Sequence, residues 1–184
     1  MNKNELRRQL KQIRAELAQR DRLEASVKIH EKVLQECSSY PLVSCYVSFR
    51  SEVSTRKLLP ELLKKHRVAV PCVVSKTHME FVEIQPQTIW KRSSYGILEP
   101  VTGKRISSDQ IDCFLIPLLG FDASCHRLGY GGGYYDRALA NSHAQKIGLA
   151  FDEQEVAHVP IGSFDISMDM IITPTRILSQ AKRL

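Results

Sequence analysis

The sequence predicts an α/β fold built on a mainly parallel sheet covered on both faces. Two observations predict it: short apolar runs of strand length recur along the chain, and segments of helical periodicity lie between them. That alternation is the pattern of parallel strands joined by helical crossovers. Length and composition agree, since 184 residues of which 43% are hydrophobic and 25% charged suit one shared core. Residues 1–184 are therefore expected to form a single domain that opens with a basic helical segment over about residues 1–38.

Taken in order, Leu6, Leu10, Ile13 and Leu17 recur at spacings of four, three and four, which lays one apolar stripe along a helix. Arg7, Lys11 and Arg14 are then expected elsewhere on its surface, and Asn2 is a candidate cap. Val27, Val33, Leu34 and Cys37 predict a second helix, with Pro41 following its end. Residues 42–49 alternate as a first strand, and residues 68–74 and 111–117 are apolar runs of strand length. Residues 58–66 read as a helix, with Pro60 tolerable near its first turn. Residues 134–140 read as a helix, 146–151 as a strand, and 170–173 as a last strand ending at Pro174.

Several functions are excluded or disfavoured. The longest apolar run, around residues 113–121, is broken by Pro117 and falls short of the roughly 18 residues a membrane helix needs. The first twenty residues are densely charged, which argues against a secretory signal. The five cysteines (Cys37, Cys45, Cys72, Cys113, Cys125) are odd in number and form no Cys-x-x-Cys pair. Neither a disulfide framework nor a zinc knuckle is expected, and a reducing, cytoplasmic setting is. The net charge of +6 suits nucleic acid or any anionic small molecule. Residues 1–32 hold nine basic side chains against five acids, hence +4 of the +6. No RNA-binding motif accompanies them, so neither a nucleic-acid nor a membrane partner is expected.

The stretch that carries chemistry is Arg127-Leu128-Gly129-Tyr130-Gly131-Gly132-Gly133-Tyr134-Tyr135-Asp136-Arg137, placed between a strand and a helix; it holds four of the nine glycines. Glycine permits positive φ and a close backbone approach, and successive N–H groups suit an anion such as phosphate. The same cluster also reads as a tight turn required only by backbone geometry. Neither a Walker A loop nor a dinucleotide fingerprint is present. Arg127 and Arg137 supply two guanidinium forks for phosphate oxygens, and Asp136 beside them a carboxylate for Mg²⁺. Asp169 is a second candidate carboxylate, or an ordinary acid at a strand edge.

This loop, with Ile116-Pro117-Leu118-Leu119-Gly120-Phe121-Asp122 before it, resembles the signature of the 5-formyltetrahydrofolate cyclo-ligase family, also called methenyltetrahydrofolate synthetases. The resemblance extends to Lys3 and Arg7 at the start, Ser51-Glu52-Val53 after the first strand, Tyr95-Gly96-Ile97 with Glu99-Pro100 midway, and Asp169 near the end. Cys125 departs from it, standing where the family often has glycine, and Tyr95 stands where many bacterial members have phenylalanine or tryptophan. The resemblance implies a three-layer α/β sandwich like that of phosphosugar isomerases and coenzyme A transferases. It implies ATP- and Mg²⁺-dependent conversion of 5-formyltetrahydrofolate to 5,10-methenyltetrahydrofolate, ADP and phosphate; a monomer is expected, although the sequence leaves the oligomeric state open. Lys3, Arg7 and the loop Arg127–Tyr135 would then bind ATP, with Arg127 and Arg137 acting on the moving phosphoryl group. Asp136 and Asp169 would hold the metal, and Glu52 and Tyr95 would lie near the folate. Met79 and Phe81 line the folate pocket or belong to the sheet core. A phosphosugar isomerase on the same fold is the competing enzyme reading, although the sequence offers it no enolising base.

Overall fold

The structure is a computed structural model that describes residues 2–93 and 96–180. Helix α1 spans Lys3–Glu16 and α2 spans Gln19–Glu36. Strand β1 (Leu42–Cys45), helix α3 (Leu58–Leu63) and strands β2 (Arg67–Val73) and β3 (Met79–Ile84) follow. Next come the hairpin of β4 (Trp90–Arg92) and β5 (Leu98–Pro100), then β6 (Arg105–Ile106) and β7 (Cys113–Pro117). A second hairpin, β8 (Gly120–Phe121) and β9 (Arg127–Leu128), leads to the short helix α4 (Tyr134–Ala138). Strands β10 (Gln145–Leu149), β11 (Met170–Ile172) and β12 (Ile177–Ser179) complete the order.

Eight strands form one sheet in the order β12-β11-β10-β7-β1-β2-β3-β6. The five central strands are parallel, whereas β12, β3 and β6 pair antiparallel at the edges. This is the mixed α/β architecture expected from the sequence. Successive side chains point to opposite faces, so Val43, Cys45, Val68, Val70, Leu115 and Ile147 meet Ile29, Val33, Leu58 and Leu62 of α2 and α3. On the other face Phe114, Ile116, Ala69 and Ile171 meet Phe81, Leu139 and Met168. Phe81 and Phe114 stand edge to face with ring centroids 5.2 Å apart, the arrangement aromatic quadrupoles favour. All five cysteines are free and buried. No helix among the described residues is long and apolar enough to cross a membrane.

Strand β1 stops at Cys45 rather than running to residue 49, because the chain beyond it bonds to a returning loop. Thr55 Oγ1 donates to the Tyr46 carbonyl at 2.7 Å and accepts the Ser48 N–H at 3.0 Å, so those backbone groups are unavailable to a neighbouring strand. Phe49, Arg50, Ser51 and Glu52 thereby form a tight turn over the carboxyl end of the sheet, with Arg50 at φ +55.

Helix α1 starts with a capping box: Asn2 accepts the N–H groups of Asn4 and Glu5, and Glu5 accepts that of Asn2, all at 3.0 Å. Leu6 and Leu10 pack against Leu128 and Val159, which docks the helix beside the β8–β9 hairpin. Gly120 permits the approach, since a Cβ there would collide with the Leu10 side chain. Contrary to expectation, Arg14 is not on the open surface: it is 5% exposed, because positions 6, 10 and 14 share one helical face. Replacing Leu10 with alanine is expected to cost about 2–5 kcal/mol, measured by urea unfolding, and to loosen the attachment of α1.

Candidate active site

A cavity of about 420 Å³ opens at the carboxyl ends of β1 and β7, enclosed by α1, the glycine loop and the β2–β3 hairpin. That end of a parallel sheet is where ligands of open α/β folds bind. One part of its lining is cationic and rich in backbone amides: Lys3, Arg7, Arg127 and the loop residues Leu128, Gly129, Tyr130, Gly131, Gly132, Gly133, Tyr134 and Tyr135. Another part is apolar, with Val47, Phe49, Val73, Met79 and Ile97, and carries the carboxylate of Glu52.

The loop takes its shape from Gly131 at φ +100 and Gly133 at φ +65, both in the region that side-chain-bearing residues avoid. Gly133 opens α4. A Cβ at Gly131 would lie 3.4 Å from the guanidinium carbon of Arg7, an ordinary contact, so it is the positive φ that calls for glycine there. Arg7 Nε donates to the Gly129 carbonyl at 2.9 Å, and helix α1 thus meets the loop 122 residues away in sequence. In the β8–β9 turn Cys125 sits at φ +61, the conformation for which glycine is the ordinary choice.

Arg127 is 8% exposed and donates to Asp136 Oδ1 at 2.7 Å and to the Ile166 carbonyl. Asp136 Oδ1 also accepts the Ile166 N–H at 3.1 Å, which ties the start of α4 to the segment before β11. Within that segment Asp165 lines the cavity and pairs with Lys3. Burial opposes ionisation of Asp165, but the Lys3 ammonium and the Gly162 N–H outweigh it and hold the carboxyl below the ordinary aspartate range.

Glu52 is positioned by its own turn: its Oε2 accepts the Phe49 N–H at 2.8 Å. Burial raises its pKa, against the opposing pull of the Tyr130 hydroxyl, the Phe49 N–H and Arg14. Tyr130 is 40% exposed overall, yet its hydroxyl turns inward and accepts from Arg14 Nη1 at 2.6 Å. The Tyr135 hydroxyl, on the cavity wall, is buried and has no hydrogen-bond partner among the described residues, so it is available to a bound polar ligand.

Two residues expected at the site lie elsewhere. Asp169 accepts the Lys146 N–H at 2.8 Å and pairs with Lys146 Nζ at 3.8 Å, at the amino ends of β10 and β11. Lys146 lies three residues before Leu149, the partner of Pro117 at the cavity, so Asp169 stands roughly 10 Å down the sheet. The aspartate that lines the cavity with Asp136 is Asp165, four residues earlier. Arg137 bonds the Thr77 carbonyl at 2.8 Å and the Gly132 carbonyl at 2.7 Å and stacks 5.4 Å from the Tyr134 ring centroid. It braces the loop from outside and does not line the cavity. Tyr95 lies outside the described residues. Met79 lines the cavity and Phe81 belongs to the core. His126 carries a partner that the sequence did not reveal, Asp122 Oδ2 at 3.0 Å.

Among the described residues no group of three or more histidine, cysteine, aspartate or glutamate side chains could hold a metal alone. Asp136 and Asp165 at one cavity do fit Mg²⁺, which commonly binds through one or two carboxylates together with substrate phosphates and water.

The sequence profile of the 5-formyltetrahydrofolate cyclo-ligase family matches residues 1–174. The chain is 33% identical over 179 residues to a 5-formyltetrahydrofolate cyclo-ligase of Mycoplasma pneumoniae, covering 94% of this chain and 98% of that one. It is 31% identical over 176 residues to the protein of the same name from Haemophilus influenzae, covering 90% and 94%. In three dimensions it is similar to the 5,10-methenyltetrahydrofolate synthetase of Aquifex aeolicus, with a TM-score of 0.89, 28% identity and coverage of 100% and 96%. By the extent of that match, and by the loop and cavity that its residues build, the chain belongs to the 5-formyltetrahydrofolate cyclo-ligase family.

Proposed function

We propose that the protein cyclises 5-formyltetrahydrofolate to 5,10-methenyltetrahydrofolate, consuming ATP and releasing ADP and phosphate. The observation that carries this reading is one continuous cavity with a cationic glycine loop on one side and an apolar wall bearing Glu52 on the other. A triphosphate and a flat heteroaromatic substrate can meet there.

A formamide carbon is a poor electrophile and its oxygen a poor leaving group. Attack of the formyl oxygen on the γ-phosphorus, with ADP leaving, answers both faults. The N10 nitrogen then attacks the activated carbon, loses its proton, and phosphate departs with the former formyl oxygen. The protein's task is positioning and charge neutralisation. Lys3, Arg7 and the amides of the loop bind the phosphates, and Arg127 stabilises charge on the transferred group. Bound through Asp136 and Asp165, Mg²⁺ would neutralise charge on the phosphate oxygens. Phe49 and Met79 pack against the pterin, and Glu52 accepts hydrogen bonds from its N–H edge.

The test is direct: purified protein, 5-formyltetrahydrofolate and Mg·ATP are mixed and the absorbance of the methenyl product is followed. An ATP-dependent rise is expected, and its absence at high enzyme concentration would overturn the proposal.

Glu52 carries a second expectation. A carboxyl whose pKa is raised on folding contributes stability below its unfolded value and loses it as pH rises through the folded one. Keeping Glu52 ionised therefore costs the unliganded protein stability at neutral pH. Glu52→Gln is expected to raise Tm at pH 7–8, to lose that advantage below about pH 4, and to raise KM for the folate. Calorimetry across pH, paired with steady-state kinetics, checks all three.

A further inference from the structure

One buried cation has no part in the scheme above. Arg14 leaves the middle of α1 and enters the protein, where Nε donates to Ser51 Oγ at 3.1 Å. Its Nη1 donates to the Leu118 carbonyl at 3.3 Å and to the Tyr130 hydroxyl at 2.6 Å. The guanidinium carbon lies 5.5 Å from the Tyr130 ring centroid. One side chain thus joins the N-terminal helix, the turn that carries Glu52, the residue after β7 and the glycine loop.

We propose that Arg14 is a positioning residue for folate recognition, holding the Glu52 carboxylate aimed into the cavity as a hydrogen-bond acceptor by way of Tyr130 and Ser51. The inference rests on the proposed role of Glu52. Its first support is geometric. Ser51 immediately precedes Glu52, Tyr130 and Glu52 line the same cavity, and Arg14 grips Ser51 and Tyr130 at once.

Its second support is electrostatic. The groups that face Glu52 are the phenols of Tyr46, Tyr130 and Tyr135, the Phe49 N–H and Arg14. Arg14 is the cation among them, and it favours the ionised carboxyl against burial. A neutral carboxyl would present a donor where the pterin edge also presents donors. Burying a guanidinium carries a desolvation penalty that its hydrogen bonds must offset, so a net gain in stability is a weak reason for such a residue. Spacing adds a mechanical consequence: Arg7 and Arg14, two turns apart on α1, hold the same loop at the Gly129 carbonyl and the Tyr130 hydroxyl.

The test is the pH dependence of kcat/KM for 5-formyltetrahydrofolate at saturating Mg·ATP, in the wild type, Arg14→Met, Arg14→Lys, Tyr130→Phe and Glu52→Gln. In the wild type kcat/KM should fall on the acid side as Glu52 protonates, and Glu52→Gln should lack that limb. Arg14→Met should move the limb upward by about one pH unit, a roughly tenfold loss on the slope. Tyr130→Phe should move the limb the same way by less, and Arg14→Lys, which keeps the charge, should restore most of it. A limb unmoved in Tyr130→Phe and in a folded Arg14→Met, with only Tm lowered, overturns the inference. Should Arg14→Met not fold, Arg14→Lys and Tyr130→Phe decide the matter by their limbs. A limb that persists in Glu52→Gln overturns the role of Glu52 and the inference with it. A wild type that forms no methenyl product overturns the proposed reaction instead.

Discussion

Replacing Arg127 with methionine is expected to lower kcat by about a hundred- to a thousandfold, the usual cost of removing one well-aimed donor to a charged transition state. The geometry makes Arg127 the strongest candidate for that part. It is 8% exposed, its fork is fixed by Asp136 and the Ile166 carbonyl, and it faces the cavity beside the loop amides. A donor so braced loses little reorganisation energy when charge moves. Methionine keeps much of the volume and removes the charge, so Asp136 is left without its cationic partner. Breaking a buried pair by removing one member costs about 3–5 kcal/mol, and the low end applies because the Asp136 side chain keeps 23% exposure. Adding Asp136→Asn should return part of that stability while leaving turnover low, which separates the chemical loss from the structural one. Urea unfolding and steady-state kinetics on the single and double variants are the measurements. A kcat within threefold of wild type in the single variant would remove Arg127 from the phosphoryl-transfer step.

The helices α1 and α2 and the strands β1, β2, β7, β10 and β11 were legible because their burial is periodic and their apolar runs are long enough to count. Strands β4, β5, β6, β8, β9 and β12 span two or three residues each, too short for any period to register. Val47 and Phe49 continue the alternation of Val43 and Cys45 in sequence, but the chain leaves the sheet there because of Thr55, a hydroxyl nine residues from Tyr46. At the site, the glycine loop was legible in composition, and Gly131 and Gly133 adopt the positive φ that such a cluster makes available. Arg137 is adjacent to Asp136 in sequence, but adjacency does not imply a shared direction. On the first turns of a helix, side chains one residue apart diverge by about 100°, and only Asp136 faces the cavity. Arg14 was readable in principle, since it stands four and eight residues after Leu10 and Leu6, but a charged residue on an apolar stripe is easily assigned to its margin. Asp165 had no local signal: only the fold of residues 160–166 over α1 brings it to Lys3.

The contrast between Asp165 and Asp169 should be equally large and tests which carboxylate serves the site. Asp165→Asn is expected to raise the Mg²⁺ concentration for half-maximal rate by roughly tenfold or more, because a neutral amide is a weaker ligand for a hard cation. Asp169→Asn should leave kcat and the Mg²⁺ requirement within about twofold, since its side chain is bound to Lys146 roughly 10 Å down the sheet. The two should differ in stability as well. The carboxyl of Asp165 is held below its ordinary range despite burial, by Lys3 and the Gly162 N–H. Its contribution is therefore present above the unfolded pKa and lost as pH falls through the lowered one. Asp165→Asn should thus lower Tm at pH 7, and the deficit should close in strong acid, where the wild-type carboxyl is protonated too. Measured together, Mg²⁺ titrations and Tm against pH distinguish a ligand from a structural partner. If Asp169→Asn raised the Mg²⁺ requirement and Asp165→Asn did not, the segment before β11 would have to turn over during the reaction and deliver the other acid to the nucleotide.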